Sequence, residues 1–139
     1  GGIDSCTLGR LAQMAVNELN EESEGGYQFI AVRLPYDTQA DEDDAQASID
    51  FIQPSLHVTS NIKAGADAIH ESAVSGLLAA GVTSFSAEKS DFVKGNAKAR
   101  TRMATQFDIA GLMDGLVLGT DHYKGAYCRL RNANTTKVR

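Results

Sequence analysis

Apolar positions along the chain switch between a helical and a strand-like pattern, and the switches mark the elements. Leu8, Leu11, Ala12, Ala15 and Leu19 recur at helical spacing, which predicts a helix over 6–20. Asp4 or Ser5 is suited to cap its start, and Gly25-Gly26 to stop the chain beyond it. Residues 27–34 form a short, mostly apolar run bounded by glycine and Pro35, the pattern of a buried strand. Thr38 is placed to cap a second helix over 39–53, whose first turns carry Asp41, Glu42, Asp43 and Asp44. Acidic residues there suit the helix dipole, so the run reads as a solvated helix start rather than a metal cage. A strand is predicted over 56–62, a helix over 64–80 ending at Gly81, a mobile loop over 82–91, a long helix over 94–113 and a third strand over 116–120.

This order predicts an α/β fold, a parallel sheet with helices on both faces. Gly1 to Ser5 reads as a loop that a preceding strand would feed, so the first strand of the sheet is expected to be missing from the sequence. Open parallel sheets bind ligands beyond the carboxyl ends of their strands. Gly1-Gly2, residues 33–39 and Thr120 all fall at such ends, so three separate segments are expected to converge on one edge.

Composition changes little of this. The 42% hydrophobic and 22% charged residues of the 139-residue chain are ordinary for a globular domain. No apolar run approaches membrane-spanning length, so no membrane partner is expected. Cys6 and Cys128 make neither a disulfide framework nor a metal site, which points to a reducing, cytoplasmic setting. His57, His70 and His122 lie too far apart for a short zinc-ligand spacing. Charge is more telling. Residues 123–139 hold five of the 13 basic residues and none of the 18 acids, so residues 1–122 are strongly acidic. An acidic domain is a poor candidate for nucleic-acid binding, and none is expected.

The chemistry-bearing segment is Gly1-Gly2-Ile3-Asp4-Ser5, opening a helix. Glycines let backbone N–H groups approach an anion, and the helix N-terminus adds a favourable dipole and unpaired donors. Ser5 can donate to a phosphate oxygen. Asp4 would repel a bare phosphate, which suggests an intervening Mg²⁺. A simple capped turn fits the same five residues equally well. Likewise Arg33 could pair with Asp41, and Lys94, Lys98, Arg100 and Arg102 could form an ordinary solvated helix face.

The segment resembles the pyrophosphate loop Ser-Gly-Gly-x-Asp-Ser of the N-type ATP pyrophosphatases, without its first serine. Residues 31–46 (AVRLPYDTQADEDDAQ) and 92–103 (FVKGNAKARTRM), followed by Gly119-Thr120-Asp121-His122, are similar to bacterial ammonia-dependent NAD⁺ synthetases, in the same order. The resemblance covers residues 1–122 and implies a partial synthetase domain of adenine-nucleotide α-hydrolase type. It implies a two-step reaction: the carboxylate of deamido-NAD⁺ attacks the α-phosphate of ATP, and ammonia then converts the acyl-adenylate into NAD⁺ and AMP. It implies that Gly1, Gly2, Ile3, Asp4, Ser5, Arg33, Gln39 and Thr120 contact ATP. Asp4 would ligate Mg²⁺, Asn96 and Arg100 would hold deamido-NAD⁺, and the protein would be a homodimer. No protein nucleophile is expected, because the substrate carboxylate fills that role.

Two departures stand out. Asp37 occupies a position where the family usually has glycine, beside the expected ATP contacts. After His122 the chain stops matching; the glutamate expected as a second Mg²⁺ ligand falls at Gly125, and a substrate-binding lysine further on is absent. Residues 123–139 therefore read as a basic tail foreign to the domain, and turnover by the chain alone is expected to be lost. The rival readings are another N-type pyrophosphatase and a non-catalytic fragment that binds nucleotide or forms dimers.

Overall fold

A computed structural model describes residues 2–37 and 42–120. It contains α1 (Ile3–Glu22), β1 (Ile30–Arg33), α2 (Glu42–Ile52), β2 (Leu56–Thr59), α3 (Lys63–Ala79) and α4 (Ala87–Leu112). The strands pair in parallel, with Ile30 opposite Leu56 and Arg33 opposite Thr59. A parallel pair requires a crossover, which α2 supplies. The helices associate as α1 with α2 and α3 with α4.

The α1–α2 contact depends on a missing side chain. Gly9 is buried in α1, and a Cβ there would lie 2.8 Å from Ile52 Cδ1 and 3.2 Å from Ile52 Cγ1. Ile52 is itself buried, so the two helices meet where glycine admits an isoleucine. One turn on, Gln13 is only 4% exposed. Its Oε1 accepts from the Ser55 N–H at 2.8 Å and from Ser55 Oγ at 3.1 Å, and its Nε2 donates to Asn17 Oδ1 at 2.7 Å. Ser55 Oγ in turn accepts from the Phe29 N–H at 3.2 Å. This satisfied polar chain links α1 to the starts of both strands, as a buried amide requires. Arg10 adds a bond to the carbonyl of Ile52 at 3.2 Å. The second pair repeats the use of small residues. Ala66 and Ala97 are buried where α3 meets α4, and a Cβ on Gly65 would come within 3.2 Å of the buried Thr101.

Several predicted boundaries shift for identifiable reasons. Gly2, rather than Asp4 or Ser5, is the N-cap of α1, and no side chain caps it. Ser5 Oγ donates back to the Gly2 carbonyl at 2.9 Å, so the hydroxyl acts as a donor inside the first turn. The helix runs two residues past its predicted end, to Glu22, with the Ser23 N–H closing on the Leu19 carbonyl before the glycines are reached. Gly26 instead serves the turn into β1, at φ 60°. Gly81 ends α3 as expected, at φ 85°, with its N–H on the Leu78 carbonyl and that of Val82 on Leu77. The loop after it is shorter than predicted. Ser86 caps α4 by accepting from the Lys89 N–H at 3.2 Å, and residues 87–93 are helical. The largest correction concerns residues 116–120, which belong to no strand. They follow α4 through Asp114, at φ 51°, and a Gly115 N–H bond to the Ala110 carbonyl, but no ladder joins them to β1. Thr38, Gln39 and Asp41, with Gly1 and the whole 121–139 segment, lie outside the described residues.

Candidate functional site

One cavity of about 720 Å³ collects much of what the sequence singled out: Ser5, Arg33 and Thr120 all line it. They come from the first turn of α1, the carboxyl end of β1 and the end of the 115–120 segment; Gly2 is not among the lining residues, and Gly1 and Gln39 lie outside the described residues. At the start of α1 the first intrahelical bond runs from the Cys6 N–H to the Gly2 carbonyl at 3.1 Å. The N–H groups of Ile3, Asp4 and Ser5 therefore have no intrahelical acceptor, which is the ordinary donor set of a helix N-terminus. Asp4 and Ser5 are exposed there. Asp4 offers one carboxylate, and among the described residues no group of three His, Cys, Asp or Glu could enclose a metal. That donor set fits a cation held chiefly by phosphate oxygens and water with a single protein carboxylate, the usual situation of Mg²⁺ at a nucleotide.

Asn96 and Arg100 lie elsewhere, exposed on α4 and outside the lining of this cavity. Around them, the basic face of α4 is neither plainly solvated nor wholly given to ligand. Lys94 Nζ pairs with Asp67 Oδ1 at 2.9 Å, Lys98 Nζ sits 3.8 Å from the centre of the Tyr36 ring, and Arg102 Nε donates to the Leu34 carbonyl at 3.0 Å. Lys98 and Arg102 thus hold the segment that follows Arg33, and Lys94 stands against it, 5.8 Å from the centre of the Tyr36 ring.

The centre of that arrangement is Asp67 on α3, which sequence reasoning missed. Its carboxylate takes Lys63 Nζ at 2.7 Å, the Tyr36 hydroxyl at 2.6 Å and Lys94, with its side chain 18% exposed. The hydrogen bond from Lys63, then those from Tyr36 and Lys94, hold its pKa well below the ordinary 3.8. Lys94 is correspondingly raised, chiefly by its bond to Asp67. The only sequence signal was the i,i+4 spacing of Lys63 and Asp67; the Tyr36 and Lys94 partners are remote in sequence.

Asp37 sits at φ 63°, in the left-handed region that favours glycine. Its N–H reaches Asn61 Oδ1 at 3.4 Å, and its carboxylate lies 3.9 Å from Lys63 Nζ. The backbone there explains the glycine that the resemblance led one to expect. Aspartate is among the few side chains that tolerate the conformation.

A parallel strand pair joined by a crossover helix, with a helix N-terminus opening beside the strand ends, defines an α/β protein of the open parallel-sheet kind. Comparison with known proteins carries this further. The sequence matches the NAD synthase family over residues 1–128, and the chain belongs to that family. It is 58% identical over 123 residues to the NH(3)-dependent NAD(+) synthetase of Shewanella halifaxensis, covering 88% of this chain and 45% of that protein. Identity to the enzyme of the same name from Vibrio campbellii is 59% over the same length, with the same two shares. The crystal structure of NAD⁺ synthetase from Burkholderia pseudomallei superposes with a TM-score of 0.76 at 41% identity, covering 90% of this chain and 51% of that one. The chain thus spans about half the length of the relatives it matches.

Proposed function

We propose that the chain provides one wall of the ATP-activating site of an ammonia-dependent NAD⁺ synthetase. The observation that carries this is that Ser5, Arg33 and Thr120 line one cavity, in a chain of the NAD synthase family. In this reading the open N–H groups of α1 and the Ser5 hydroxyl receive the β- and γ-phosphates. Ser5 must rotate away from the Gly2 carbonyl to donate. Gly1 and Gly2 complete that pyrophosphate cradle, Arg33 and Gln39 contact the AMP portion, and Thr120 also contacts ATP. The carboxylate of deamido-NAD⁺, held by Asn96 and Arg100, attacks the α-phosphorus; the bond to the bridging oxygen breaks and pyrophosphate leaves. Ammonia then attacks the acyl carbon, releasing AMP and giving NAD⁺. Mg²⁺, when bound at Asp4, would offset charge developing on the leaving pyrophosphate.

Homodimerisation in the cytoplasm completes the proposal. Apolar side chains on α4 support the dimer: Phe92 is 73% exposed, and Met103 and Phe107 follow it at helical spacing, also exposed. Residues 1–122 form the synthetase part and 123–139 a separate tail.

A chimera tests the reading. Residues 1–122 replace the matching stretch of the full-length Vibrio campbellii enzyme, and product is followed with ATP, ammonia and either deamido-NAD⁺ or other acceptor acids. NAD⁺ formation that is lost with Arg33→Ala is expected. A folded chimera without activity, or one that prefers another acid, overturns the assignment.

A further inference from the structure

The chain leaving β1 is fastened at every residue from 33 to 37. The Arg33 carbonyl accepts from the Ser60 N–H at 2.9 Å, and the Pro35 carbonyl from the Ile62 N–H at 2.8 Å. Between them the Leu34 carbonyl takes Arg102 Nε of α4. The Asp37 N–H reaches Asn61 Oδ1, the oxygen that also accepts from the Lys63 N–H at the start of α3. Tyr36 is held through its side chain. Its hydroxyl donates to Asp67 Oδ1 at 2.6 Å, and the ammonium groups of Lys63, Lys94 and Lys98 stand 5.2, 5.8 and 3.8 Å from the centre of its ring. Lys63 and Lys94 both end on the same Asp67 carboxylate. A carboxylate largely withdrawn from water and bonded to three donors keeps one orientation. Because Asp67 stands on a regular helix, α3, it fixes the tyrosine rather than following it.

Tyr36 lies midway along the chain between Arg33 and Gln39, the two residues assigned to the AMP portion of ATP. Neither Tyr36 nor Asp67 lines the cavity that holds Ser5, Arg33 and Thr120, so any effect of Asp67 on a ligand there is indirect. Resting on the synthetase reading, we propose that Asp67 is a positioning residue for ATP: it holds the Tyr36 hydroxyl, and through it sets where Arg33 and Gln39 meet the AMP portion. The row Lys94, Lys98 and Arg102, at i,i+4 spacing on α4, presses the same segment from the other side, while Asn96 and Arg100 fall on the opposite side of that helix. A binding group has to be kept within about 0.5 Å of its productive place by supporting side chains that are themselves locked. The start of α1 is braced separately, by the contact of α1 with α2. Loss of Asp67 therefore costs affinity for the nucleoside part of ATP and spares the pyrophosphate part.

Calorimetry and amide hydrogen exchange on the 139-residue chain test this. Asp67→Ala should weaken Mg²⁺–ATP binding by about tenfold and leave Mg²⁺–pyrophosphate binding within about twofold. Tyr36→Phe keeps the ring and its lysine contacts but removes the hydroxyl, so it should reproduce the ATP-selective loss and answers the same question if Asp67→Ala folds poorly. The double variant should bind ATP no more weakly than Asp67→Ala alone, within about twofold, because the two changes break one bond. In either variant the Ile62 amide, which donates to the Pro35 carbonyl, should exchange about tenfold faster, while the Leu56 amide, bonded to Phe29 at the far end of β1, should not change. Equal weakening of both ligands, or losses that multiply in the double variant, overturns the proposal, since Asp67 would then act on general stability or by another route. So does ATP binding that falls with Arg33→Ala but not with Asp67→Ala, a result that leaves the synthetase reading standing. Binding of neither ligand by the unaltered chain counts against the synthetase reading instead, and the Ile62 exchange rate then still decides whether Asp67 holds the segment.

Discussion

Placement of the candidate phosphate loop rests on the close approach of α1 to α2 at Gly9, and a double-mutant cycle measures it. A Cβ at position 9 would stand 2.8 Å from Ile52 Cδ1, against about 3.5–4.0 Å for an unstrained carbon pair. Overpacking a filled contact costs roughly 1–3 kcal/mol, while alanine gains about 1 kcal/mol over glycine in a helix interior. Gly9→Ala should therefore destabilise by a net ~1 kcal/mol, within about 0–2. Ile52→Val removes Cδ1, the atom that collides, and by itself should cost about 0.5–1.5 kcal/mol. In that background the nearest remaining atoms are Cγ1 at 3.2 Å and Cγ2 at 3.5 Å, so most of the clash is gone. Gly9→Ala should then be neutral or stabilising by up to about 1 kcal/mol, giving a favourable coupling of about 1–2 kcal/mol. Urea unfolding of the four proteins, with a common m-value, reads the coupling directly. Additivity within about 0.3 kcal/mol would refute the view that Gly9 and Ile52 set the helix spacing.

Other expectations concern the site itself. Asp67→Asn should remove part of the acid sensitivity of folding. The Asp67 pKa is depressed, so its contribution is complete above the ordinary 3.8 and is lost as pH falls through the lower folded value; unfolding midpoints measured below pH 4 should show a shallower decline in the variant. An unchanged slope would mean that the Lys63, Tyr36 and Lys94 contacts do not persist in solution. Asp37→Gly should relieve a left-handed residue and remove a negative charge near the proposed ATP contacts, with stability unchanged or raised by up to about 1 kcal/mol and ATP binding tightened. Weaker ATP binding in calorimetry would contradict the charge argument. In the chimera, Asp4→Ala should lower turnover by about 100- to 1000-fold while changing ATP affinity far less, the pattern of a group acting on the leaving pyrophosphate. Near-normal turnover at saturating Mg²⁺ would exclude a metal role for Asp4.

Local signals made most of the elements legible. Gly81 terminates α3 because its φ of 85° is open to glycine, and the apolar run before Pro35 does become a strand with Arg33 at its end. The family resemblance, carried by residues 31–46 and 92–103, agreed with the comparisons that place the chain among NAD synthases. Properties fixed by distant partners escaped. Residues 116–120 have strand composition, but a strand exists only where a neighbour offers a ladder, and among the described residues β1 pairs with β2 alone. Ser86 lies among residues without apolar periodicity, so its cap was invisible to pattern reading although the residue type is right for one. Asp67 and Gln13 look like surface residues in sequence. They become central only because Tyr36 and Lys94 meet the first, and Ser55 meets the second, in space. The basic stretch of α4 illustrates the same limit, since Arg102 ends on a backbone carbonyl rather than on substrate.

Calorimetric titration of the 139-residue protein with pyrophosphate and with ATP, each with Mg²⁺, tests the central claim most directly. Both ligands should bind, and Ser5→Ala should weaken both, because the loop at the start of α1 receives the phosphates common to them. Arg33→Ala should weaken ATP more than pyrophosphate, because its expected contact is with the AMP portion. Binding of neither ligand to a folded protein, or binding indifferent to both substitutions, would contradict the assignment of this cavity to ATP.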